Sequence, residues 1–323
     1  MRAALYDRYG PAREVLRVED VERPEPGPGE VRVKVQVSGV NPTDWKSRSG
    51  ATPRPVDGFQ IPHHDGAGVI DAVGGGVDPG RIGQRVWLWL AAAGRRWGTA
   101  AQWTVVPEGL AIPLPEGASA QLGASLGVPA VTAHRCLFAD GPIDGKTVLV
   151  AGGAGAVGHF AIELAKFAGA RVVATVSNEE KAKLAEAAGA DLVVNYRGPG
   201  AAEQVKSFVP HIDRIVELAL GANLDLDLAV SRAGTTIVVY AAEDSNPTLP
   251  TRRFMTANVT LQFLLLYTVP KAQLAASVAW TSTALAAGAL SPLPVHRFPL
   301  EEVAAAQRAV EANAVGKVVV IPG

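Results

Sequence analysis

Along the first third of the chain, apolar and polar positions alternate. Runs such as VRVKVQVSGV (31–40) and QRVWLWL (84–90) put apolar side chains on one face of an extended backbone, the period of a half-buried strand. Proline and glycine crowd the intervening stretches, so the pattern predicts an antiparallel, β-rich region with long loops. From about Gly145 the texture changes. KTVLVAG leads into GHFAIELAKFAG and RVVATVS into EEKAKLAEAAG, and ADLVVNY, DRIVELA and GTTIVVYA follow. Short apolar strands alternating with alanine-rich helical stretches predict βαβ units and a parallel sheet. Gly169 and Gly189 close two of those helices, where a left-handed residue caps the last carbonyls.

Past Tyr240 come an apolar run at 260–269 (TLQFLLLYTV), a helix at about 271–287 and a closing segment read as one helix and one strand. The closing segment stands outside the βαβ series and is assigned back to the first domain. The predicted division is a β-rich domain of residues 1–122 and 268–323, interrupted by a parallel-sheet domain of residues 123–267, with no internal repeat.

Composition narrows the function classes. The 323 residues are 48% hydrophobic and 19% charged, as in ordinary globular proteins, and 30 basic against 31 acidic residues leave a net charge of −1. No global positive field is present to hold a polyanion, so a nucleic-acid partner is not expected. The first twenty residues have scattered charges and no signal-peptide core, and the most apolar stretch, 261–269, is too short to span a bilayer. A soluble, cytoplasmic protein with no membrane partner is expected. The single cysteine, Cys136, excludes an internal disulfide and a four-cysteine zinc lobe, and is read as a small buried apolar residue.

The strongest chemical signal is the turn at residues 152–158, GGAGAVG. Gly152, Gly155 and Gly158 stand between an apolar strand and a helix inside the βαβ series. Bare backbone there lets a pyrophosphate approach, and the following helix supplies N-terminal amides and its dipole. This predicts a doubly wound Rossmann domain holding a dinucleotide. About 20 residues on, at the tip of the second strand, an NAD enzyme usually carries a carboxylate for the ribose hydroxyls. Val176 stands in that place, with Ser177 and Lys181 behind it. A missing carboxylate and a nearby ammonium favour the 2′-phosphate of NADPH. Two plainer roles stay open: Ser177 and Glu180 also fit a capping box, and Lys181 also fits a solvated helix position.

Together with VNPTD at 40–44, DGAGVI at 65–70, IGQRV at 82–86, GTAA at 98–101 and GKVVV at 316–320, this turn resembles the medium-chain dehydrogenase/reductase superfamily over nearly the whole chain. Within it the chain is similar to the zinc-independent quinone oxidoreductase, or zeta-crystallin-like, branch. The resemblance implies an α/β protein with a GroES-like β-rich catalytic domain plus a Rossmann doubly wound parallel-sheet domain, and a homodimer. It implies Asn41 and Thr132 near the nicotinamide and Gly155, Ala156 and Val157 at the pyrophosphate. Ser177, Lys181 and Tyr196 would surround the adenosine phosphate. Tyr240, Phe263 and Lys317 are carried over as further cofactor residues, with core packing the alternative for Tyr240 and Phe263.

The zinc-dependent alcohol dehydrogenases of the superfamily have a cysteine ligand where this chain has Asn41 and a His-Glu pair where it has His64-Asp65. No metal is therefore expected, and His63 and His64 are read as loop or packing residues. Without a Lewis acid, acceptors that delocalise incoming charge themselves, quinones and enones, fit best. The 39–50 segment, with Asn41, Asp44 and Trp45, is read as a loop walling the acceptor; Asn41 would position it, and Asp44 is a second catalytic candidate. The alternatives are an alkenal or enone reductase of the same fold and an NADPH-binding protein without turnover. A short-chain reductase reading of Tyr267 and Lys271 is disfavoured by Pro270 between them.

Overall fold

A computed structural model describes residues 1–242 and 246–323. The chain forms two compact units, Met1–Val128 with Pro292–Gly323, and Pro129–Ser291.

In the first unit, β1 (Arg2–Leu5), α1 (Ala12–Val15) and β2 (Arg17–Asp20) precede β3 (Glu30–Gly39), α2 (Pro42–Ser49), β4 (Asp65–Val73), β5 (Arg85–Leu88), β6 (Trp103–Pro107) and β7 (Ala111–Pro113). The helix α3 (Ala120–Leu137) then carries the chain out of the unit at Val128. The second unit follows with β8 (Thr147–Val150), α4 (Ala156–Phe167), β9 (Arg171–Val176), α5 (Glu179–Ala187), β10 (Leu192–Asn195), α6 (Ala201–Phe208) and β11 (Ile212–Glu217). It is completed by α7 (Leu220–Val230), β12 (Ser231–Val239), α8 (Thr251–Ala257), β13 (Thr260–Phe263) and α9 (Lys271–Ala286). The chain returns to the first unit with β14 (Val295–Pro299), α10 (Val303–Glu311) and β15 (Lys317–Ile321).

The large sheet of the first unit runs β14-β15-β3-β4-β5-β7, with β6 also paired to β3. Its pairings are antiparallel except β14 with β15. The alternation in β3 buries Val31 and Val33 with Ile70, Val86 and Leu88. A second core joins Leu5, Val40 and Ile61 to Val303, Val318 and Val320.

The second unit is a six-stranded sheet of order β10-β9-β8-β11-β12-β13, parallel throughout. Such an order brings the first strand beside the fourth and opens a crevice at the carboxyl ends, the general ligand position of doubly wound sheets. Gly169 and Gly189 follow α4 and α5 with φ of +80° and +98°, the left-handed caps the sequence asks for.

Three local readings change. The closing segment holds two strands; β14 escapes the pattern because Val295–Pro299 is a largely exposed edge strand without a buried face to mark it. The helix α9 belongs to the second unit, where it packs on α4, so the chain returns at Pro292 and not at 268. The 39–50 segment is mostly helical: Asn41 precedes α2, Pro42 opens it, and Gly50 at φ 90° closes it.

Candidate functional site

In the first unit the polar side chains of three elements meet out of water. Asn41, just before α2, Asp65, at the start of β4, and Lys317, at the start of β15, are 2%, 0% and 2% exposed. The Asn41 amide is fully oriented: Nδ2 donates to Asp65 Oδ2 at 2.7 Å, and Oδ1 accepts from Lys317 Nζ at 2.7 Å. Its backbone N–H donates to Asp44 Oδ2 at 2.7 Å, one half of a capping box on α2. Asp65 Oδ1 takes the Val128 N–H at 2.8 Å, and Lys317 Nζ lies 3.8 Å from Asp65 Oδ2. Burial raises the Asp65 carboxyl and lowers the Lys317 ammonium from their ordinary values, each opposed by the other's charge. Burial also pushes Asp44 up to about 7, against the Asn41 N–H that favours its charged form.

A cation in this cluster is thus already supplied, by Lys317. His64 Nε2 faces Arg54 Nη1 at 3.1 Å, while His63 lies between Ser38 Oγ at 2.9 Å and Gln307 Nε2 at 3.3 Å. Both imidazoles are buried, and burial pulls His63 down to about 3. Among the described residues no three His, Cys, Asp or Glu side chains gather as metal ligands. The residues do not fit a catalytic zinc, which needs three convergent protein ligands and an open position.

In the second unit the glycine turn joins β8 to α4. Gly152 has φ of +66°, and a Cβ on Gly158 would lie 2.3 Å from the Gly152 carbonyl oxygen, so both are needed by the turn itself. Gly155, the residue before α4, differs: a Cβ there would meet only the Gly152 oxygen, at 3.4 Å. The turn itself thus does not require a glycine at Gly155, and a bare backbone there, directly before the N-terminus of α4, fits the approach of a dinucleotide pyrophosphate.

Ser177 and Asn178 lie beyond the tip of β9. Asn178, not Ser177, caps α5, its Oδ1 accepting the Lys181 N–H at 2.9 Å. That leaves the Ser177 hydroxyl outside the cap. Lys183, not Lys181, is the α5 lysine that pairs with Glu179, at 3.6 Å. The Tyr196 N–H donates to the Val176 carbonyl at 3.1 Å, which brings Tyr196 to the same strand tip. Arg197 packs its guanidinium 5.9 Å from the Tyr196 ring centre. The sequence reading passed over Arg197, although it directly follows Tyr196.

The remaining residues scatter. Thr132 is buried on α3 and Tyr240 follows β12, its hydroxyl raised by burial beside Cys136 and Glu217. Phe263 is 67% exposed on β13, the edge strand, so core packing is not its role. Lys317 is committed to Asn41 in the first unit. Cys136 is fully buried with its thiol raised by that burial. Tyr267 lies in a short turn ahead of α9, so it shares no helix with Lys271.

Comparison with known proteins agrees with this architecture. Residues 27–116 match the alcohol dehydrogenase GroES-like domain, and residues 156–283 the zinc-binding dehydrogenase family. The quinone oxidoreductase of Lama guanicoe is 31% identical over 327 residues, covering 99% of this chain and 97% of the relative. A mycobacterial protein solved complexed with NADPH superposes with a TM-score of 0.85 at 29% identity, each chain covered fully at 100%. An NAD-dependent alcohol dehydrogenase superposes with a TM-score of 0.89 at 27% identity, again over 100% of both chains.

Proposed function

Because the chain belongs to the quinone oxidoreductase branch of the medium-chain dehydrogenase/reductase superfamily, we propose that it is an NADPH-dependent, zinc-independent reductase of quinones or similar conjugated carbonyl compounds. The observation that carries this reading is the buried Lys317–Asn41–Asp65 cluster. The positions that hold zinc in the alcohol dehydrogenases are here tied to an internal ammonium and to Arg54. A metal arriving there would meet two cations and no thiolate.

When bound, NADPH supplies two electrons and a hydrogen nucleus as hydride from its nicotinamide. The chain's own groups do the rest. Gly155 leaves room for the pyrophosphate over the α4 amides, with Ala156 and Val157 beginning the helix. Lys181, Ser177 and Tyr196 hold the 2′-phosphate, joined by Arg197. Val176, 2% exposed and uncharged, leaves that phosphate unopposed, which sets this chain apart from a carboxylate-bearing NAD site. Asn41, fixed on both sides of its amide, positions the acceptor and has its hydrogen-bonding geometry set before the acceptor arrives. Thr132 and Tyr240 remain candidates for the nicotinamide end of the cofactor.

An acceptor panel tests the reading. Quinones, alkenals and enones are each mixed with protein and NADPH, following absorbance for turnover and nucleotide fluorescence for binding. Turnover with quinones is expected. Fluorescence change with no oxidation by any acceptor would make the protein a nucleotide-binding protein, and turnover of enones alone would make it a double-bond reductase.

A further inference from the structure

His63 has φ of +76°, a left-handed backbone that a non-glycine residue keeps only where its surroundings over-determine it. Those surroundings are a buried chain of side chains with the imidazole in the middle: Arg48, Gln307, His63, Ser38 and Thr99. Arg48 Nε donates to Gln307 Oε1 at 3.0 Å, Gln307 Nε2 lies 3.3 Å from His63 Nε2, and His63 Nδ1 lies 2.9 Å from Ser38 Oγ. Ser38 Oγ is 2.8 Å from Thr99 Oγ1, which donates to the Asp65 carbonyl at 2.5 Å.

The two ends of this chain fix its sense. A guanidinium only donates, so Gln307 turns its oxygen to Arg48 and its NH2 to His63. His63 Nε2 then accepts, and the imidazole is the neutral Nδ1–H tautomer that donates to Ser38. At the other end a carbonyl only accepts, so the Thr99 hydroxyl gives its proton to Asp65 and takes that of Ser38. The two assignments meet at Ser38 without conflict. Burial, which pulls His63 down to about 3, keeps the ring uncharged.

The chain also reaches both sides of Asn41. Arg48 lies in the last turn of α2, the helix that Asn41 precedes, and its remaining nitrogens hold the Gly10 carbonyl and Glu311 of α10. Ser38 and Gly39 of β3 pair with Gly66 and Asp65 of β4. One ring therefore joins the far end of α2 to the backbone of the carboxylate that receives the Asn41 amide.

We propose that His63 is a positioning residue: through Ser38 and Thr99 it fixes Asp65, and through Asp65 the Asn41 amide that meets the acceptor. This rests on the reading of Asn41 as the acceptor's positioning group. A packing residue needs only the volume of the ring, whereas positioning needs its Nδ1–H as well.

Nitrogen NMR, and kinetics with NADPH and 1,4-benzoquinone, on His63→Asn, His63→Gln, Thr99→Ser and Thr99→Val test this. Asparagine accepts a left-handed backbone and sets an N–H where Nδ1 stood; glutamine sets its amide where Nε2 stood and misses Ser38. His63→Asn and Thr99→Ser should keep most of kcat, while His63→Gln and Thr99→Val, isosteric but without the hydroxyl, should each lose about tenfold. The NADPH dissociation constant should hold in all four. His63→Gln combined with Thr99→Val should lose no more than the worse single variant, since both cut one path. The Asn41 side-chain amide resonance should move in the two slow variants only, and His63 of the unmodified protein should show the Nδ1–H tautomer. An Nε2–H tautomer, additive losses, or full rate in Thr99→Val would overturn the assignment. An unmodified protein that oxidises no NADPH would overturn the reading of the acceptor alone; the Asn41 resonance then decides, and one that stays in place in His63→Gln and Thr99→Val overturns this inference too.

Discussion

Lys181 and Asp44 are the two side chains whose roles a single substitution separates most cleanly. A charge-assisted contact to phosphate contributes about 1.5–3 kcal/mol, so Lys181→Ala should weaken NADPH roughly ten- to a hundredfold and leave NADH nearly unchanged. Dissociation constants by fluorescence decide it, and equal changes for both nucleotides would make Lys181 a plain helix residue. Asp44 is pushed from an ordinary 3.8 to about 7 by burial. A raised folded value means the folded protein binds that proton more tightly, so the stabilisation is complete below about 4 and is lost as the pH rises through about 7. Urea unfolding at pH 5 and pH 8 should show a smaller fall for Asp44→Asn than for the unmodified protein, since an amide has no proton to lose. What the sequence shows of the site is local. The uncharged Val176 at the end of a strand and Asn41 ahead of a proline can be picked out from their neighbours, whereas Lys317 meets Asn41 across 276 positions, which no spacing reveals. The Ser177 cap went to its neighbour Asn178 because both are good caps and only the backbone angles choose.

At the scale of elements, the glycine turn makes a prediction that the two glycines divide between them. Gly158→Ala puts a Cβ 2.3 Å from a backbone oxygen, so the turn must shift; lower thermal stability and loss of nucleotide binding are expected together. Gly155→Ala meets nothing closer than 3.4 Å, so the melting temperature should hold while NADPH binding weakens about tenfold or more. Calorimetry and titration on the two variants check this, and unchanged binding in Gly155→Ala would move the pyrophosphate elsewhere. The strand–turn–helix series was readable because parallel strands buried on both faces leave continuous apolar runs. The helix α2 was read as a loop despite its proline start and glycine stop, because its eight residues carry no apolar stripe. The exposed β14 left no period to detect, for the same reason: what does not bury a face does not write one into the sequence.

For the whole molecule, the edge strand β13 leaves Phe263 67% and the adjacent Leu265 57% exposed, more apolar surface than a free sheet edge ordinarily carries. A homodimer is expected, with light scattering near twice 33.5 kDa and a Phe263→Lys variant shifted toward the single-chain mass. A monomer at all concentrations would contradict it. No helix among the described residues is long and apolar enough to cross a membrane. The central claim, reduction by NADPH without zinc, is tested most directly by the rate of NADPH oxidation with 1,4-benzoquinone before and after exhaustive chelation, with metal content measured on the same samples. The rate should be unchanged in protein stripped of zinc. Stoichiometric zinc lost together with turnover, and both restored by adding zinc back, would contradict the account.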